Sequence, residues 1–154
     1  MALASNLCRR YTREEAVSSQ QAGASNMEHK HLERFSPAWW GCVAEHWNIS
    51  QYRAEMAGFG DASFEVLNAD VRLVTVQWDK NGTATVLSEP VEGCAIFSAT
   101  HENWTEFVRG QFTAVMGVLQ GRIIFRGSAI IILPYTTAFN HLAKVARPLL
   151  FNSQ

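Results

Sequence analysis

The hydrophobic period of this chain changes from two to about 3.6 after Thr100, and that change narrows the folds open to it. From Phe64 to Ala99 apolar residues recur at every second position. Phe64 and Val66 flank Glu65, and Val74, Val76 and Trp78 flank Thr75 and Gln77. Thr83 to Ser88 and the run CAIFSA, Cys94 to Ala99, continue the alternation. After Thr100 the spacing lengthens to three or four, through Trp104, Phe107 and Val108 and then Phe112, Val115, Met116 and Leu119. Period two places alternate side chains on opposite faces of a strand, and period 3.6 gathers them on one face of a helix. A block of strands followed by helices predicts an α/β (α+β) domain.

Local signals place the boundaries. Lys80-Asn81-Gly82-Thr83 is the strongest hairpin signal, and Asn-Gly predicts a type I′ turn with positive φ at both residues. Thr100 is suited to cap a helix that Gly110 ends. In LQGRIIFRGSA, Leu119 to Ala129, Gly121 closes a second short helix. Gly127 ends a strand with Ile123 and Phe125 on one face and Arg122, Ile124 and Arg126 on the other. Strands are expected near 62–68, 71–79, 83–88, 94–99 and 122–127.

The chain's first part reads differently. Residues 1–27 form a polar N-terminal extension, with a capping box at Thr12-Arg13-Glu14-Glu15 and a helix to about Gln20. Residues 28–154 form the folded domain. Ser36 is a good N-cap, Pro37 suits the first helical position, and Phe35 and Trp40 sit where a hydrophobic staple pairs. Trp39, Cys42, Val43 and Trp47 give that helix an apolar face; Trp40, on its flank, is expected at a pocket rim or a homodimer contact. A short helix with Tyr52, Met56 and Phe59 inward follows Ser50. The last helix carries Tyr135, Phe139, Leu142 and Ala146 on one face, and Pro134 either starts it or kinks one that begins at Ser128.

Composition excludes several classes. Of 154 residues, 47% are hydrophobic, so the chain buries a core rather than remaining disordered. Thirteen Lys and Arg against fourteen Asp and Glu leave a net charge of −1, which argues against nucleic acid as a partner. No apolar run reaches the roughly 18 residues of a membrane span, so no integral membrane segment is expected. The three single cysteines, Cys8, Cys42 and Cys94, fit free thiols in a reducing, cytoplasmic setting. No cofactor motif is present. No metal site is expected either: His29-Lys30-His31 lacks a third ligand nearby.

The run from about Phe64 to Lys144 resembles the sterol carrier protein type-two family. The likeness lies in the strand–turn–strand through Asn81-Gly82, then IFSATHENWTEFVRGQ, then FTAVMGVLQGRIIFRGS. The resemblance implies a five-stranded, mostly antiparallel twisted sheet covered on one face by helices. It also implies a hydrophobic tunnel between the two layers for a lipid, acyl chain or sterol-like ligand. The chain departs from the family at Ala129-Ile-Ile-Ile-Leu133 and Pro134, where the family often has small, lysine-rich sequence.

The ligand-lining candidates are Trp104, Phe107, Phe112, Met116, Leu119, Phe125, Leu133, Phe139 and His141. The same spacings also describe ordinary core. His141, beside the apolar stripe of the last helix, is the candidate polar group. Two function classes follow. One is a non-catalytic carrier of a hydrophobic small molecule. It would bind at about micromolar strength, since roughly 0.8 kcal/mol per buried methylene must offset the cost of association. The other is a cofactor-free isomerase or cyclase using a buried Asp61, Glu65 or His141. No catalytic motif supports the second, and a partnerless ionisable side chain aimed into the cavity would distinguish it.

Overall fold

The computed structural model describes residues 32–58 and 61–151, with the side chains of 129–134 left out. The helix expected over Thr12–Gln20, the boundary at 27/28, the His29/His31 pair, Phe59 and the side chain of Leu133 lie outside the described residues.

The elements run α1 (Pro37–Asn48), α2 (Tyr52–Met56), β1 (Ala62–Asn68), β2 (Val71–Trp78), β3 (Ala84–Leu87), β4 (Ala95–Ala99), α3 (His101–Arg109), α4 (Ala114–Leu119), β5 (Ile124–Arg126) and α5 (Ala129–Phe151). The five strands form one sheet in the order β3-β2-β1-β4-β5. Three pairings are antiparallel, and β1 lies parallel to β4. All five strands fall where the alternation places them.

The caps at Ser36 and Thr100 are those the sequence signals, and Thr113 adds one that was not read from it. The hydroxyls of Ser36, Thr100 and Thr113 accept bonds from the amides of Trp39, Asn103 and Met116. Gly121, at φ 72°, follows α4 as a left-handed closing residue. Its N–H bonds to Val118 and that of Arg122 to Gly117, so the last carbonyls of α4 are satisfied.

The β2–β3 turn departs from expectation. Only Gly82 has positive φ, 75°, and Asn81 does not. The amide of Gly82 bonds to the Asp79 carbonyl, and the amide of Asp79 to the Thr83 carbonyl. This is a three-residue loop with glycine in the left-handed position, not a two-residue I′ turn. The cause is Asp79: its carboxylate accepts the amides of Asn81 at 2.8 Å and Thr83 at 3.0 Å, which holds the longer loop.

Alternate residues of the sheet pack under the helices. Phe64, Trp78 and Phe97 meet Phe139 of α5, with ring centroids 5.2, 5.8 and 4.2 Å away, and Tyr135 lies 5.0 Å from Phe64. These rings occupy the layer where the resemblance implies a tunnel. Helix α5 begins just after Ser128 and continues through Pro134. Helix α1 packs against both β3 and α5. Its Asn48 bonds to the amide and carbonyl of Ala84 and so closes the β3 edge. Trp40 is buried (4% exposed), with its ring 5.0 Å from that of Trp39 and 6.3 Å from that of Phe35. The rim or dimer role expected of it is corrected: its ring is covered within the chain, against Phe35 and Trp39.

Candidate functional site

The open volume lies one layer out from the aromatic core. A cleft of about 610 Å³ runs between the α3–α4 corner and α5. This is within the range of small-molecule sites, roughly 300–1,000 Å³. Phe107, Phe112 and Met116 supply its apolar wall, and Arg122, Lys144 and Arg147 its charge, with Asn140 among the polar groups between them.

Each wall residue is held by local chemistry. Thr113 starts α4 with its cap, and the Asn140 side-chain oxygen accepts the Ala114 amide at 2.8 Å, which ties α4 to α5. Phe112 lies over Gly117, where a Cβ would come within 2.7 Å of its ring. Phe107 and Phe112 meet in a tilted pair with centroids 5.9 Å apart. The Arg122 guanidinium sits 5.1 Å over the Phe112 ring and pairs with Glu106 at 2.8 Å. Arg147 donates from Nε to the Val108 carbonyl at 2.9 Å. Lys144 is exposed at the cleft. The surface thus offers an apolar floor next to fixed positive charge, suited to a molecule with both characters.

Phe107, Phe112 and Met116 therefore meet in one place, and the other sequence candidates lie elsewhere. Trp104 is buried and donates from its indole to the Leu67 carbonyl at 2.7 Å. Phe139 belongs to the aromatic core, and Phe125 packs edge-on against Phe97 at 4.9 Å. Leu119 points to solvent. His141 stacks on Tyr52 at 4.2 Å and pairs with Glu55 at 3.2 Å, away from the cleft. The polar members were not identified from sequence, although a signal existed. Asn140, Lys144 and Arg147 recur at i, i+4 and i+7 on the last helix, a polar stripe at helical spacing.

The three candidates for acid–base chemistry do not converge. Glu65 pairs with Arg72 at 3.3 Å, and His141 is engaged with Glu55. Asp61 is exposed and borders a separate hollow of about 290 Å³ with Glu92, Cys94 and Tyr135. There, burial and then the charge of Asp61 push the Tyr135 hydroxyl above its ordinary value of 10.0. Nothing in this arrangement supports the enzyme reading.

No protein-family model and no curated protein matches the chain. Solved structures do. A crystal structure of sterol carrier protein 2 superposes with a TM-score of 0.59 at 24% identity, covering 75% of this chain and 98% of the other. The solution structure of a conserved hypothetical protein from Thermus thermophilus, named as possibly a sterol carrier protein, gives 0.55 at 23% identity, covering 84% and 94%. The chain has the sterol carrier protein 2 fold, as its sequence pattern implies.

Proposed function

We propose that this protein binds a hydrophobic small molecule, a lipid, acyl chain or sterol-like ligand, and holds it for transfer. The apolar part of the ligand rests on Phe107, Phe112 and Met116, and a polar or acidic head meets Arg122, Lys144 and Arg147. The observation that carries this reading is the cleft itself, where aromatic rings and cations share one wall. A carrier fold around it adds support. A reducing, cytoplasmic setting belongs to the same reading and rests on the odd number and wide spacing of the cysteines in the sequence.

Displacement of a fluorescent fatty acid tests the proposal. Wild type should bind at about micromolar strength, about 8 kcal/mol net, so the roughly 8 kcal/mol gross gain of ten methylenes needs the head group's contacts with the cations to offset the cost of association. Phe112→Ala should weaken binding roughly tenfold, since losing about half of a buried phenyl contact corresponds to ~1.4 kcal/mol. Lack of probe binding, or equal affinity in Phe112→Ala, contradicts the reading.

A further inference from the structure

The helices pack on the sheet face of Phe64, Trp78 and Phe97, so Glu65, Leu67, Ile96 and Ser98 point the other way. Cross-strand partners share a face, and the register sets out two rows on this outer one. Glu65, Ile96 and Arg126 form one row across β1, β4 and β5, and Leu67, Ser98 and Ile124 form the next. A sheet face turned to water ordinarily carries polar residues, yet Leu67, Ile96 and Ile124 are diagonal neighbours on three adjacent strands. Ile124 is 54% exposed, and Leu67 and Ile96 are partly buried. The other half of the face is engaged within the chain. The register of β1 on β2 shifts after Val66 and sets Arg72 opposite Leu67; its guanidinium pairs with Glu65 at 3.3 Å and donates to the Ser88 carbonyl. The apolar group therefore sits on the β1–β4–β5 half, with Glu65 and Arg126 one strand to either side of Ile96.

We propose that this half of the outer face is where two copies of the chain pair, about a twofold axis running along β4 at Ile96. Rotation about that axis sets Ile96 against its own duplicate and interchanges the flanks. Arg126 then meets the partner's Glu65, and Ile124 meets the partner's Leu67, each contact occurring twice. Charge and apolar surface match in the same operation. The Glu65 carboxylate meets Arg72 through Oε1, and a carboxylate accepts further donors, so it can hold both arginines. A partner of one charge sign would leave either Glu65 or Arg126 facing its like, whereas a second copy pairs both. The cleft lies on the helix layer, so this contact leaves both clefts open. The inference goes beyond the ligand-binding reading and stands without it.

Sedimentation equilibrium of the full chain over a concentration series tests it. Wild type should show a monomer–dimer equilibrium. Arg126→Glu sets two carboxylates together on each flank and should weaken the dimer at least about tenfold. Glu65→Arg added to Arg126→Glu restores opposite charges across the axis and should recover most of that loss. Ile124→Ser should also weaken the dimer at least about tenfold, since two isoleucines leave the contact. Ile124 and Arg126 are exposed, so both single variants should melt as wild type does. A wild type that stays monomeric at every concentration overturns the proposal. So does a dimer that Arg126→Glu and Ile124→Ser leave unchanged, or a charge exchange that recovers nothing.

Discussion

Replacing Phe139 by alanine separates packed core from ligand space. Phe139 is 2% exposed, and its ring meets those of Phe97, Phe64 and Trp78 at 4.2, 5.2 and 5.8 Å. Truncating a buried phenylalanine costs about 3–5 kcal/mol, with the larger values where neighbours cannot collapse into the void. Aromatic neighbours are rigid, so a cost of about 4 kcal/mol is expected. At about 3 °C per kcal/mol for a domain of this size, the melting temperature should fall by about 12 °C. A domain stable by about 5–15 kcal/mol can still fold with that loss. Met116, 44% exposed in the wall of the cleft, supplies the contrast. Met116→Ala should cost less than about 1 kcal/mol and lower the melting temperature by a few degrees at most. Thermal melts by circular dichroism, run beside the fatty-acid titration, read both effects. If Phe139→Ala melts like wild type but changes probe affinity, Phe139 lines a ligand space and the placement of the cleft is wrong.

Three further outcomes follow from the same contacts. Gly82→Ala introduces a Cβ 2.1 Å from the Arg53 carbonyl oxygen at a φ of 75° and should cost more than about 2 kcal/mol in urea unfolding; an unchanged midpoint contradicts the loop geometry. Trp104→Phe keeps most of the ring but leaves the Leu67 carbonyl without its donor, a loss of about 1–2 kcal/mol by the same measurement, and no loss would show the bond to be immaterial. For Tyr135, burial and then Asp61 raise the folded-state value above 10.0, so the folded chain holds the phenolic proton more tightly than the unfolded one. That contribution to stability is full below pH 10 and is lost as pH rises through the folded value. Asp61→Asn should move the phenolate absorbance of Tyr135 to lower pH, and an unmoved titration argues against the pairing.

The strands and helices were legible because each carries one clear period and a matching cap. Ser36, Thr100, Gly110 and Gly121 act locally, so their neighbours in sequence suffice to read them. The hairpin was legible as a turn but not as its type, because the deciding group, the Asp79 carboxylate, competes from outside the Asn-Gly pair. Trp40 was misread for a different reason. It is covered within the chain, against the rings of Phe35 and Trp39, and its place on the flank of the apolar stripe does not state how far it is buried. The candidate site was half legible. Phe112 and Phe139 show the same helical spacing, yet one lines the cleft and the other fills the core. Periodicity finds the apolar face of a helix, and only the packing of α3, α4 and α5 decides where that face leaves a gap.

Backbone amide NMR during titration with a long-chain fatty acid locates the ligand directly. The largest shifts should cluster at Phe107, Phe112, Met116, Asn140 and Lys144, around the cleft. Shifts centred instead on Phe64, Phe97 and Phe139 would mean that the ligand opens the aromatic layer, and an unchanged spectrum would mean that the cleft holds no such ligand.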